Sequence, residues 1–211
     1  MKNASRFSLL LLACLFGFQA LAQNVGIRAG LNLATALEKD EDETYSDNYK
    51  LNPGFHAGVT MNVPLQDALS LETGLFVTKK GVKYEDNFFG ANVKATVNLY
   101  YLDIPVTLKA TTSLGESGAR FFGAFGPYFD FGFSGTAKAT AEFQGMKETE
   151  KEDVKWGNDE NNDDIKRTDV GLTIGAGLEI ESVQVGIAYA LGLSNNSPYT
   201  DFGTVSKNRI D

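Results

Sequence analysis

The chain has 211 residues with 19 basic and 27 acidic side chains, one histidine, one cysteine and a net charge of −8. The acidic balance argues against nucleic acid as a partner, and a single cysteine cannot form a disulfide within the chain. The length suits one domain, large enough for a packed core or a small barrel.

Residues 1–22 read as a secretory signal peptide. Lys2 and Arg6 form a positive start, residues 9–18 an apolar run too short to span a bilayer, and Ala20-Leu21-Ala22 a small-x-small cleavage site. Cys14, after Leu11-Leu12-Ala13, invites a lipoprotein reading, but cleavage there would leave a very short apolar run and a greasy LFGFQALA tail. The mature domain is then 23–211, without cysteine. Loss of Lys2 and Arg6 leaves 17 basic against 27 acidic residues, a net charge of −10.

No window of the mature chain repeats apolar residues at three and four positions, so no long helix is expected. Period-two segments recur instead, and a strand places successive side chains on opposite faces. In 25–33, Val25, Ile27, Ala29, Leu31 and Leu33 oppose Gly26, Arg28, Gly30 and Asn32. Residues 55–63 and 69–77 follow the same rule, with His56 and Glu72 on their non-aliphatic faces. In 99–110 (LYYLDIPVTLKA) Leu102, Ile104, Val106 and Leu108 oppose Tyr101, Asp103, Pro105, Thr107 and Lys109. Upstream, in 93–99, the apolar residues fall on odd numbers and not on even ones, a parity switch that predicts a β-bulge near Tyr100. Residues 120–133 carry five phenylalanines on one face and Arg120, Tyr128 and Asp130 on the other. Residues 168–180 set Val170, Leu172, Ile174 and Leu178 against Asp169, three glycines and Glu179. A seventh strand is expected over 183–192, and an eighth begins near Thr204, with the chain ending at Asp211 before it is finished.

The non-aliphatic faces are glycine, alanine, small polar residues and isolated charges. A water-washed surface has little use for that much glycine, whereas the interior of an eight-stranded barrel has barely room for side chains. The aliphatic rows therefore face lipid and the small polar rows the lumen. Connections alternate in length: 64–68, 111–118 and 181–182 are short, while 34–53, 79–92 and 134–167 are long. Outer-membrane barrels have short periplasmic turns and long outer loops. The expected fold is all-β: an eight-stranded antiparallel up-and-down transmembrane β-barrel with its last strand truncated. Its amino end would be periplasmic and its long acidic loops extracellular.

The quoted residues resemble the PorT-like, OmpA-type outer-membrane β-barrel family of Bacteroidota-type bacteria. The matching pieces run in order: GIRAGLNLA, NPGFHAGV, LSLETGLFVTKKG, YLDIPVTLKA, GPYFDFG and TDVGLTIGAGLEI. The resemblance implies an eight-stranded barrel of mostly unassigned function. Some relatives take part in protein secretion, although no motif here places this chain among them. Family members close on an aromatic-terminated strand, and the ending Lys207-Asn208-Arg209-Ile210-Asp211 departs from that.

Chemical sites are sparse. His56 has no second histidine and no mature cysteine as a metal-ligand partner, so no metal site is expected. Asp130 and Asp169 read as carboxylates near the outer ends of neighbouring strands, an acid–base pair in form but more simply caps of a polar network at the barrel mouth. The run from Asp159 to Asp164 begins like a calcium loop, yet has Asp164 where a turn glycine belongs and Val170 where a bidentate glutamate belongs. The acidic stretches 38–47 and 148–164 read as solvated outer loops. A structural charge network is expected in the lumen from Arg28, Glu72, Asp103, Lys109, Arg120, Asp130, Asp169 and Glu179. Arg28, Glu72 and Asp103 form one group, and Lys109, Arg120 and Glu179 a second. The expected protein is a non-catalytic, monomeric outer-membrane barrel without catalytic residues or cofactor. Its partners are outer-membrane lipid and other envelope proteins, in a structural or surface-interaction role open to a part accessory to secretion. The alternatives are a small membrane-embedded transporter or enzyme, and a soluble periplasmic lipocalin-like binding barrel.

Overall fold

The computed structural model describes residues 25–39, 49–88, 91–115, 118–198 and 207–210. The signal-peptide segment and Thr204 lie outside these. The strands are β1 (Val25–Ala34), β2 (Ala36–Lys39), β3 (Tyr49–Gln66), β4 (Leu69–Phe88), β5 (Ala91–Ser113), β6 (Ala119–Phe143), β7 (Met146–Asp153), β8 (Thr168–Ile180), β9 (Val183–Gly192) and β10 (Lys207–Ile210). Among the described residues there is no helix.

One eight-stranded antiparallel sheet runs β1-β3-β4-β5-β6-β8-β9, with β7 paired to β6 off that path. It curls into a half-barrel whose inner face carries the small and polar residues. Outward rows are exposed: Ile27 is 90%, Ile174 58% and Ile187 84% accessible. The inward partners of those rows are confined: Glu72, Thr107, Lys109, Tyr128, Asp130, Asp169 and Glu179 are all buried. Burying charge while exposing isoleucine reverses the usual rule for proteins in water. It is the rule for a barrel in lipid.

The short connections cluster at one end of the barrel, where β3 turns into β4 through Asp67 and Ala68 and β8 into β9 through Glu181 and Ser182. The other end departs from the expected long loops. Residues 79–88, 91–92 and much of 134–167 are strand, because β4 and β5 continue past the apolar belt until Phe88 pairs with Ala91. β6 likewise continues to Phe143 and turns through Gln144 and Gly145, both at positive φ, into β7. The acidic stretch that read as a loop is partly this exposed strand, where Glu142 faces Lys147 and Thr140 Oγ1 meets Thr149 Oγ1 at 3.2 Å. Opposite charges and paired threonines are the contacts that hold a solvated hairpin. Residues Lys79 to Phe88 pair with Ala91 to Tyr100, and ten residues of strand are about 30 Å long.

The bulge is present but lies in the neighbouring strand. β5 keeps its register against β4 through Tyr100 and Tyr101, while against β6 the partners jump from Ser134 to Gly132. The extra residue is Phe133, and Phe133 and Ser134 are both exposed. In β5, Leu99, Tyr101, Thr107 and Lys109 are buried on a single inner face. The parity switch in 93–99 is thus a change of surroundings along one face: beyond the belt the interior becomes apolar. There Leu99, Tyr101 and Ala34 pack with Val97, Val154, Trp156 and Ile165.

The eighth barrel strand was expected near Thr204. In the described residues, β10 pairs antiparallel with β2, Ile210 opposite Ala36 and Lys207 opposite Lys39. Among the described residues β1 and β9 each have one hydrogen-bonded neighbour in the large sheet.

Candidate functional site

Two polar layers and an aromatic plug line the inner face. The layer nearer the short turns is a chain of ion pairs across the barrel. Arg28 on β1 binds Glu72 on β4. Lys109 on β5 lies 3.7 Å from Glu72 Oε2 and donates to Glu179 Oε2 on β8 at 3.0 Å. Arg120 on β6 takes the other oxygen of Glu179, and Gln184 Nε2 on β9 donates to Glu179 Oε2 at 3.1 Å. Five charged side chains tie five strands, and Gln184 adds β9 as a sixth. Lys109 is 2% exposed and its ammonium stands 4.7 Å from the Phe122 ring centre. An ammonium so placed is tolerated only with carboxylate partners, and it has two. Two groups were expected here; the structure joins Arg28 and Glu72 to Lys109, Arg120 and Glu179 in one network and leaves Asp103 out of it.

Asp103 belongs to the second layer. Strand register puts Asp103 opposite Asp130, and Asp130 opposite Asp169, so three carboxylates stand side by side on β5, β6 and β8. Both Asp130 and Asp169 are buried: Asp169, the second residue of β8, lies at that strand's outer end as expected, whereas Asp130 is mid-strand because β6 extends well beyond the belt. Lys80 on β4, which no alternation singles out, donates to Asp130 Oδ2 at 2.6 Å and stands 4.4 Å from the Tyr128 ring centre. Ser194 donates to Asp169 Oδ1, and Tyr128 donates to Asp169 Oδ2 at 3.4 Å. Thr78 donates to Asp103 Oδ2 at 3.4 Å. His56 on β3 contacts Asn32 Oδ1 through Nδ1 at 2.7 Å and packs edge-on to Phe76. It is a polar residue of the interior wall.

Above the acids sits the plug. Residues 154–167 return from β7 over the mouth, with Val154 N donating to Gly135 O and Gly132 N to Arg167 O. Trp156 meets Tyr101 edge-on, ring centres 5.5 Å apart. Its ring lies where a β-carbon on Gly132 would be, so only glycine at that position lets the indole seat. The calcium-like segment within this return is satisfied internally: Asp159 N donates to Asp163 Oδ2, Asn161 N to Asp159 Oδ1, and Asn162 Nδ2 to Asp159 Oδ2. The Asn162 amide, then the Asn161 backbone, hold the Asp159 carboxyl below its ordinary range. On the outer hairpin Glu85 bridges Lys50 and Lys94 at 3.2 and 3.5 Å, and those contacts, Lys50 first, lower its pKa in the same way. A polar cleft of about 120 Å³ opens at the short-turn end, bordered by Asn62, Gln66, Lys109, Arg120 and Glu179. Among the described residues no group of three histidine, cysteine or acidic side chains is arranged to hold a metal ion.

The chain matches the family model described as outer membrane protein beta-barrel domain over residues 19–197. No curated protein and no solved structure matches it. A match over that share of the chain settles the family: this protein belongs to the outer-membrane β-barrel family.

Proposed function

We propose, from that membership, that the protein is a non-conducting and non-catalytic barrel of the outer membrane, working through the surface it presents beyond the lipid. The observation that carries this reading is the stack of buried side chains on the inner face. An ion-pair layer, a carboxylate layer and a tryptophan plug lie in series, while the β4–β5 and β6–β7 hairpins project from one end. A transporter needs an open or openable lumen, and an enzyme needs polar groups converging on a concave pocket. The projecting end is extracellular in this reading and the short turns periplasmic, as the common barrel topology has it. The barrel acts as a monomer among outer-membrane lipid, with other envelope proteins as partners of its hairpins; a part accessory to secretion is one form of that role.

The test has two arms. The full chain reconstituted in planar bilayers should show no conductance steps under applied voltage. Lysines of the β6–β7 hairpin, Lys147 and Lys151, should react with an impermeant amine reagent on intact cells. Stable single-channel steps would overturn the non-conducting reading. Labelling only after the outer membrane is opened would overturn the orientation.

A further inference from the structure

The carboxylate layer holds more acid than the structure neutralises. Three aspartates face one ammonium, that of Lys80, and the layer is walled by Tyr101, Tyr128, Thr78 and Phe76, with His56 the nearest other titratable side chain on β3. Asp169 has both oxygens occupied by hydroxyl donors and Asp130 Oδ2 is occupied by Lys80. Two carboxylate oxygens are left over, Oδ1 of Asp103 and Oδ1 of Asp130, both buried with no hydrogen-bond partner. These belong to the two residues set directly opposite each other on β5 and β6, and their carboxyls meet side by side. A second, independent orphan stands beside them. The Tyr101 hydroxyl, 1% exposed and also without a partner, lies within the field of Asp130 and Asp169.

Leaving two neighbouring buried carboxylates each with an unpartnered oxygen is costly unless something positive lies between them. A metal cation fits poorly. Calcium asks for six to eight oxygens, two are unclaimed, and the Lys80 ammonium already occupies the position a second cation would crowd. A proton asks for two oxygens only.

We propose that Asp103 and Asp130 form a proton-binding site in the barrel interior, holding one proton between their unpartnered Oδ1 atoms. The proton is taken from water: an O–H bond forms on Oδ1 of one carboxyl and donates to Oδ1 of the other. Neither carboxyl then titrates alone; the pair takes up and releases its proton as a unit. Bound this way, the pair carries one negative charge, which the Lys80 ammonium balances.

Infrared spectroscopy of the full chain folded in an ester-free detergent reads this directly, because a protonated carboxyl has a carbonyl stretch, shifted by deuterium oxide, that a carboxylate lacks. Wild-type protein at neutral pH should show the band at an amplitude of one carboxyl. Asp103→Asn should abolish it and still fold, since the new amide donates to Asp130 Oδ1 in place of the proton; heat-modifiable gel mobility reports the fold. Absence of the band in wild type at neutral pH overturns the proposal by itself, whatever the variant does. Persistence of the full band in folded Asp103→Asn overturns it as well, by placing the proton on another residue. A wild-type band that vanishes when sodium, potassium, magnesium or calcium chloride is added assigns the site to a cation, and also overturns it. Should Asp103→Asn fail to fold, Asp103→Glu takes its place: the longer acid keeps a carboxyl, and the one-carboxyl band should remain at a shifted frequency. An unshifted band there would refute the pairing.

Discussion

Removing the ammonium of Lys109 tests whether the ion-pair layer is a single energetic unit. Lys109→Met keeps the length and apolar stem of the side chain, so the packing change is small. What is lost is the charge 3.0 Å from Glu179 and 3.7 Å from Glu72. Breaking a buried pair on one side costs about 3–5 kcal/mol, because an acid is left without its partner. Here each glutamate keeps an arginine, Arg28 or Arg120, and both arginines are partly open to solvent. The loss should therefore fall at the low end, about 3 kcal/mol. Glu179→Gln alone should cost less, since Arg120 reaches solvent and Lys109 keeps Glu72.

The informative quantity is the double variant. With Lys109→Met in place there is no ammonium for Glu179 to satisfy, so adding Glu179→Gln removes a charge held only by the partly exposed Arg120, at little further cost. The two changes should be non-additive by about 2 kcal/mol, within the range found for residues sharing one network. Reversible urea unfolding from lipid vesicles, followed by gel mobility and by the emission of the only tryptophan, Trp156, yields all four corners of the cycle. Additivity to within about 0.5 kcal/mol would refute the reasoning, and the layer would then be a string of separately solvated side chains.

Three further outcomes follow from the same geometry. Ile174→Arg, in the middle of the outward row of β8, should cost about 2–4 kcal/mol on folding into vesicles, and Ile180→Arg at the strand end about 0–1; a flat penalty would remove lipid from the argument. Gly132→Ala should lift the indole off its seat, raising acrylamide quenching of Trp156 and costing about 1–3 kcal/mol through overpacking; unchanged quenching would show that the plug does not rest there. The Asp159 turn has a carboxyl held low by its amide donors. Its contribution to loop order is complete above the unfolded value of about 3.9 and lost as pH falls through the lower folded one. Amide exchange of Asn161 should accordingly be protected at neutral pH and released only in acid, whereas Asp159→Ala should release it throughout; equal protection in both proteins would dismiss the turn.

The barrel was legible because its signal is periodic and local. Alternation alone identifies which rows of 25–33, 120–133 and 168–180 face lipid, since a strand has two faces and only one of them is aliphatic. The members of the charge layers were legible for the same reason: an isolated Arg28, Glu72, Lys109 or Glu179 on a glycine-rich face has nowhere else to go. Their pairing was not. Partners across a barrel depend on register and strand tilt, and register is a property of two strands together. Position along each strand therefore groups Asp103 with Arg28, while the sheet carries it to Asp130. Lys80 carries no such signal, because Lys79-Lys80 reads as the start of a loop, with no alternation to show that β4 runs on.

Residues 93–99 show where a pattern argument changes meaning along a single strand. Inside the belt the outer face is apolar and the inner face polar; once the strand leaves lipid, water lies outside and the plug inside, so apolar residues move to the inner face. Leu99 and Tyr101 thus share a face with Asp103, Thr107 and Lys109 although the hydrophobic parity reverses between them. The reversal falls where the inner face passes from the carboxylate layer to the plug. A genuine shift in the backbone is found one strand away, at Phe133, where β6 absorbs one residue and brings Gly132 and Gly135 to the inner side beneath Trp156 and Val154. Hydrophobicity along a strand reports what surrounds each face, and only the hydrogen-bond register reports which face it is. The same level also separates the two kinds of chemistry in the interior. Below it, charged groups must find partners among themselves, as Lys109 and Asp130 do; above it, an indole closes the mouth.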